Sequence, residues 1–69
     1  MAFAIPARGL VTLRAFDVSG RVVATLYNRV LDPGRYHAQF STGRWANGVY
    51  FYRLEMEGHV LTGRLIVLR

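Results

Sequence analysis

The residues that could do chemistry in this sequence are few and widely spaced. There is no cysteine, and the ionisable candidates are two histidines and four carboxylates, namely His37, His59, Asp17, Asp32, Glu55 and Glu57. A hydrolytic triad needs a nucleophile and an acid within hydrogen-bond reach of a base. Both histidines fall at outward strand or turn positions, and no G-x-S-x-G segment occurs. The sequence therefore predicts a protein that is not an enzyme.

Ligands for metals and cofactors are equally sparse. Two histidines without a cysteine do not make a four-ligand zinc site. Asp17 and Asp32 lie in segments typical of turns, and Glu55 and Glu57 flank a predicted hairpin without the cleft that glycoside cleavage requires. Because no phosphate-binding glycine loop or calcium-binding loop is present either, we expect no cofactor and no metal.

The positive charge could indicate a nucleic-acid partner. All nine basic residues are arginine, and the net charge is +5. Arginines combined with stacking rings are typical of proteins that bind single strands. The residues in that pattern are Arg14, Arg35, Arg53 and Arg64 with Phe16, Tyr36, Phe51 and Tyr52. However, the arginines are spread evenly along the chain and most rings are needed in a small core, so we predict solvated strand faces and no nucleic-acid partner.

Trp45 is the only tryptophan, and it lies in a loop. An exposed ring there could stack on a sugar, together with Tyr27, so a carbohydrate-binding module is one alternative. We favour the interpretation in which Trp45 folds back to cap one end of the core, because burying a large ring is stabilising.

The size of the chain limits what can position these residues. A length of 69 residues allows one domain, over residues 1–69, with one small core. Packing alone must stabilise it, and the apolar content of 52% suits a tight β core. No apolar run approaches the ~18 residues of a membrane span, and the N-terminus lacks the features of a secretory signal. We expect no membrane insertion.

The hydrophobic pattern predicts an all-β protein. Period-two alternation recurs between Gly, Pro, Asn and Asp turn signals, whereas helical spacing fails throughout. The predicted strands cover residues 2–5, 10–17, 21–28, 35–41, a strand beginning at Gly48, and 60–69. A bulge is expected near Ala24 and Thr25, and residues 29–34 are predicted as a turn connection. This spacing is typical of a small antiparallel immunoglobulin-like β-sandwich of six to seven strands.

Alternation also assigns the faces of the predicted strands. Val11, Leu13 and Ala15 share one face, opposite Thr12, Arg14 and Phe16. In the fourth strand, Tyr36, Ala38 and Phe40 are predicted to face inward, which leaves His37 solvated. In the fifth strand, Tyr50, Tyr52 and Leu54 share the inward face, with Tyr50 bracing the sandwich. Val49 and Phe51 on the other face lack cover, so we expect self-association through exposed edges.

Three segments of the sequence together resemble a known family. They are LRAFDVSGRVVATL, DPGRYHAQF and ANGVYFYRLEMEGHVLTGRLIVLR. They resemble the C-terminal sorting domain of type IX secretion substrates and the similar immunoglobulin-like domain of the flagellar hook-capping protein, over about residues 3–69. The main structural motif that carries the resemblance consists of Asp17, Gly20, Gly34, Gly48, Tyr50 and Tyr52.

The resemblance implies a non-catalytic module at the C-terminus of a larger secreted protein, from which this chain would be excised. Such a module acts in secretion sorting and cell-surface anchoring, and the protein would reach the surface or medium through the periplasm. Its partners would be secretion translocon proteins or domains of the parent protein. The residues implied in translocon recognition are Arg64, Leu65, Ile66, Val67, Leu68 and Arg69. The family often has lysines in this last strand, where arginines stand here.

A second interpretation remains open beside sorting. The chain could be a structural immunoglobulin-like accessory module, of the hook-cap kind or appended to an enzyme, with no role in export. Secretion of a fused reporter would discriminate the two.

Overall fold

The computed structural model describes residues 1–68, which form six strands. The strands are β1 (Ala2–Ile5), β2 (Gly9–Phe16), β3 (Val22–Leu31), β4 (Gly34–His37), β5 (Gly48–Met56) and β6 (His59–Val67). They make two antiparallel sheets, one of β1 and β4 and one with the order β3-β2-β5-β6. The prediction of a small all-β sandwich is confirmed.

The strand order places two hairpins side by side in the larger sheet. The β2–β3 and β5–β6 hairpins are joined by antiparallel pairing of β2 with β5, from Thr12 opposite Glu55 to Phe16 opposite Phe51. In immunoglobulin nomenclature, β3-β2-β5-β6 corresponds to strands C′-C-F-G, and β1 and β4 correspond to B and E. In this sheet β3 and β6 are the edge strands.

The core lies between the two sheets and follows the predicted alternation. Val11 and Leu13 on β2 and Leu54 on β5 are fully buried. Phe3 and Ile5 cover them from β1 and belong to the same hydrophobic cluster. Each such side chain contributes about 1.5–3 kcal/mol when it leaves water, so a few residues provide most of the stabilisation of a domain this small.

Aromatic rings join the smaller sheet to β3. The Phe3 ring stacks on Tyr36 with ring centroids 5.7 Å apart, and it meets the Tyr27 ring edge-on at 5.6 Å. The Tyr27 hydroxyl donates to the carbonyl oxygen of His37 at 3.2 Å. Tyr27 is therefore partly buried and packs against the core from β3.

Two predicted boundaries were wrong by at least three residues. β3 continues through residues 29–31, which were predicted as a turn, because Leu31 still has a partner in Gly9 of β2. β4 ends at His37 instead of residue 41, because its partner β1 supplies only four paired residues. The Ala38 N–H still donates to the carbonyl of Met1 at 2.7 Å, and Ala38 is buried as predicted.

The bulge in β3 was predicted close to where it lies. The register with β2 shifts twice, once between Tyr27 and Thr25 and again between Ala24 and Val22. The unpaired residues are therefore Leu26 and Val23, which bracket the predicted position. Bulges of this kind increase the local twist of an edge strand.

Candidate recognition site on the last strand

Two residues of the predicted recognition segment face outward on β6. Arg64 and Ile66 lie on the outer side of the larger sheet, opposite Phe51 and Val49 of β5. Ile66 is 61% exposed. Leu68, just beyond the end of β6, is 81% exposed. A guanidinium and two aliphatic side chains are thus presented to solvent within five residues of sequence.

The remaining residues of the segment anchor it. Leu65 is half-buried opposite Tyr50, and Val67 is buried opposite Gly48. Arg69, also predicted in this segment, lies outside the described residues. The segment is therefore held from one face by the core and open on the other.

The backbone of β6 adds a second means of recognition. β6 pairs with β5 along its whole length, from His59 to Val67, and has no partner on its other side among residues 1–68. An exposed edge presents unpaired N–H and C=O groups to which an extended peptide can add as a further strand.

Gly63 fixes β6 against β5 through a contact that the sequence reasoning missed. Gly63 is the cross-strand partner of Tyr52, and a Cβ added at Gly63 would clash with the hydroxyl-bearing end of the Tyr52 ring. An aromatic ring lying over a strand glycine is a known way to pin the register of a sheet. The signal available in the sequence was a glycine inside a strand, which often marks such close approach.

An aromatic cluster closes the end of the sandwich next to Leu65, which belongs to the predicted recognition segment, residues 64–69, called the terminal segment below. The Trp45 ring lies 4.7 Å from that of Tyr50 and 6.1 Å from that of Phe40, between centroids. The buried Tyr50 hydroxyl donates to the carbonyl of Ala46 at 2.6 Å. This bond runs back to the backbone four residues upstream, near the start of the strand that corresponds to F, which is the geometry of a tyrosine corner.

The Tyr27 ring does not belong to this cluster. Trp45 is half-buried and contacts Phe40 and Tyr50, whereas Tyr27 contacts Phe3 and Tyr36. The two rings named for the carbohydrate-binding alternative therefore lie in separate clusters.

Asp17 organises the loop between β2 and β3. Its Oδ1 accepts hydrogen bonds from the Ser19 hydroxyl at 2.6 Å and from the N–H groups of Ser19 and Arg21. These bonds, led by that from the Ser19 hydroxyl, hold the pKa of Asp17 below its ordinary value. Gly20 completes the turn with a φ of 88°, which residues other than glycine rarely adopt.

The other glycines of the structural motif stand at strand starts. Gly34 begins β4 and Gly48 begins β5. Tyr52, the last member of the motif, is half-buried and packs against the core cluster. The motif thus maps to one loop, two strand starts and the inner face of β5.

Other groups capable of chemistry stay apart. His37 and His59 are both exposed, on different sheets. Within residues 1–68, no three His, Cys, Asp or Glu side chains lie close enough to hold a metal ion. The described part of the chain also has no helix with the length and apolar character needed to cross a membrane.

Comparison with protein families identifies a matching family. The model of the secretion system C-terminal sorting domain matches residues 2–68, nearly the whole chain. No curated protein and no solved structure matches the chain.

Proposed function

The chain belongs to the family of secretion system C-terminal sorting domains, and from this premise we propose that its last strand is the element that the type IX machinery reads. A domain of this family is a sorting signal carried by a larger protein that is secreted or displayed at the cell surface. The finer proposal is that residues 64–69 contact the translocon, and that the domain is non-catalytic and serves to attach its parent protein to the surface.

The main support for this proposal is the exposure of the terminal segment on an edge strand. Ile66 and Leu68 are 61% and 81% exposed, although both are large and apolar. Exposed apolar residues beside a free strand edge fit a partner that adds a strand and receives alternate side chains. Arg64 supplies a charge that is not paired with an acid within the described residues.

A secretion assay tests this proposal. The chain, with its native upstream sequence, would be fused behind a periplasmic fluorescent reporter in a bacterium competent for type IX secretion. Deleting residues 64–69 is expected to retain the reporter in the periplasm. Because this deletion also removes the buried Val67, loss of secretion could reflect unfolding, so a gentler variant is needed.

The gentler variant replaces only exposed residues. Ile66→Ser with Leu68→Ser is expected to abolish export while the domain stays folded. The matched control is Val60→Ser with Val30→Ser, two apolar residues of the outer face that are 55% and 53% exposed and lie outside residues 64–69. Export that fails equally in both pairs would contradict a role specific to the terminal segment.

Retention of the unmodified fusion would have a different meaning. If a folded wild-type domain leaves the reporter in the periplasm, the chain acts as a structural immunoglobulin-like module instead. Circular dichroism of each purified variant would establish folding in all arms of the experiment.

A further inference from the structure

The outer face of the larger sheet is the face that β1 and β4 do not cover. Directly opposed residues in an antiparallel sheet lie on the same face. The register sets Phe16 opposite Phe51, Arg14 opposite Arg53, and Arg64 opposite Phe51. These five residues, from three adjacent strands, are named here the basic–aromatic face.

The charges on this face are poorly compensated. Like charges directly opposite each other destabilise a sheet, and Arg14 and Arg53 are such a pair. The Arg53 Nε lies 3.2 Å from the Glu55 carboxylate. Within residues 1–68, neither Arg14 nor Arg64 forms an ion pair. The face therefore carries net positive charge that the described chain does not neutralise.

A depression lies in the same face, beside the loop at residues 17–20. The depression is largely open to solvent and has a volume of about 710 Å³, and its walls include Phe16, Phe51, Arg53 and Arg64. The Asp17 carboxylate also borders it, but that group already accepts bonds within its own loop. Phe51 remains 44% exposed there.

Apolar residues adjoin the basic–aromatic face. Val22 is opposite Phe16, and Val49 is opposite Ile66. These three aliphatic side chains are 48%, 37% and 61% exposed. An occupant that covers them must bring apolar side chains as well as negative charge. A protein segment does both, whereas a phosphate backbone or a sugar chain has no aliphatic groups to match.

We propose that the basic–aromatic face binds an extended, acidic segment of a partner protein in which carboxylates alternate with apolar side chains. Carboxylates pair with the arginine forks, and apolar side chains cover the two phenylalanines and the neighbouring aliphatic residues. A second copy of this chain does not fit, because it would bring arginine against arginine. The proposal goes beyond the sorting role, since the site shares only Arg64 and the adjoining Ile66 with the terminal segment.

The test uses the 69-residue chain and a labelled probe, a short peptide of alternating glutamate and leucine, with binding followed by fluorescence anisotropy. Arg14→Glu is expected to weaken binding by at least about tenfold, because it puts a carboxylate against the acidic probe. This variant also sets a glutamate opposite Arg53, so it is expected to fold at least as well as the wild type.

The matched control is Arg35→Glu, which makes the same charge change. Arg35 is exposed on β4, in the other sheet. We expect it to alter binding by less than about twofold, as for a distant solvated charge. Equal weakening by Arg14→Glu and Arg35→Glu would overturn the proposal in favour of non-specific attraction to net charge.

A second variant tests the apolar part. Phe51→Thr is expected to weaken binding of the glutamate–leucine peptide while leaving the weaker binding of polyglutamate unchanged. The proposal is also overturned if the chain binds oligothymidylate or anionic phospholipid vesicles more tightly than the peptide, or shows no binding to the peptide. None of these measurements depends on secretion, so failure here leaves the sorting proposal untouched, and the reverse also holds.

Discussion

The two faces of the larger sheet are built from the same strands but have opposite physical character. On the inner face, Leu13 and Leu54 are completely buried and contact β1. On the outer face, Phe51 is 44% exposed and two arginines stand opposite each other. The free energy of unfolding should therefore depend mainly on the inner residues, and the proposed binding of a partner on the outer ones. The difference teaches that a chain this small can separate a buried, stabilising face from an exposed, charged face at alternate positions of one strand.

The largest expected effect comes from opening the core. Leu54→Ala should destabilise the domain by about 2–5 kcal/mol, because lost burial and a residual cavity add together. That is a large part of the ~5–15 kcal/mol that keeps a typical domain folded. Leu10→Ala, at an outer position that is 57% exposed, should cost less than about 0.5 kcal/mol. Urea unfolding of both variants checks the comparison, which fails if the two losses are similar.

The next effect concerns the contact between Gly63 and Tyr52. Gly63→Ala adds a methyl group where the Tyr52 ring lies, so the ring must move, at a cost of about 1–3 kcal/mol. Gly43→Ala is the control, since a Cβ there meets nothing within 4 Å. Thermal unfolding should separate the two variants, and equal melting temperatures would contradict the tight approach.

Deleting the hydroxyl groups of two tyrosines compares a partly buried hydrogen bond with an exposed one. Tyr50→Phe removes a partly buried hydrogen bond of 2.6 Å to Ala46 and should cost about 0.5–1.5 kcal/mol. Tyr36→Phe removes an exposed bond of the same length, to the carbonyl of Asp32. Water can replace that exposed donor, so the loss should be smaller. A larger loss for Tyr36→Phe in chemical unfolding would reverse this ranking.

On the outer face, one substitution should stabilise the protein. Arg14→Glu turns a like-charge cross-strand pair into an opposite-charge pair, which is worth about 0.2–1 kcal/mol. The gain should shrink in high salt, as expected for exposed charges. Arg35→Glu should leave the free energy of unfolding nearly unchanged. Destabilisation by Arg14→Glu would show that Arg14 has a structural role.

The smallest effect is the pH response of the loop beside the outer face. The folded-state pKa of Asp17 lies below its ordinary value of 3.8, chiefly through the bond from the Ser19 hydroxyl. Its contribution is therefore present above that value and is lost as the pH falls through the folded-state pKa. Asp17→Asn should be less stable than the wild type near neutral pH, with the difference narrowing in acid. A difference that stays constant with pH would exclude this origin.

Self-association remains a separate prediction for the edges of the sheet. The exposed Val49 and Phe51 led us to expect it from the sequence, and β3 and β6 provide the free edges. Light scattering over a range of protein concentrations would test it.

Much of the fold was predictable because it depends on local alternation. The inner residues of β2 and β5 and the Asp17 turn follow from patterns within single strands or loops. The extent of β4 was not predictable, since alternation continues to Phe40 whereas the pairing ends with β1. The length of β4 depends on its pairing with β1, which is far away in the sequence.

The basic–aromatic face was hidden for the same reason. Arg14 and Arg53 are 39 positions apart in sequence numbering, and only the pairing of β2 with β5 brings them together. The sequence also grouped them with Tyr36 and Tyr52, which pack against the core instead. The exposure of residues 64–68 on an edge likewise depends on the strand order.

The Tyr52 ring over Gly63 also affects which side chains at the end of β6 face the solvent. Sliding β6 by one position would bring Thr62 or Arg64 under the ring, where a side chain does not fit. The glycine thus fixes the register of β6. This register places Arg64 and Ile66 on the outer face and Leu65 and Val67 on the inner face. Inserting one residue between Gly63 and Arg64 would invert that display without changing which of these side chains are present.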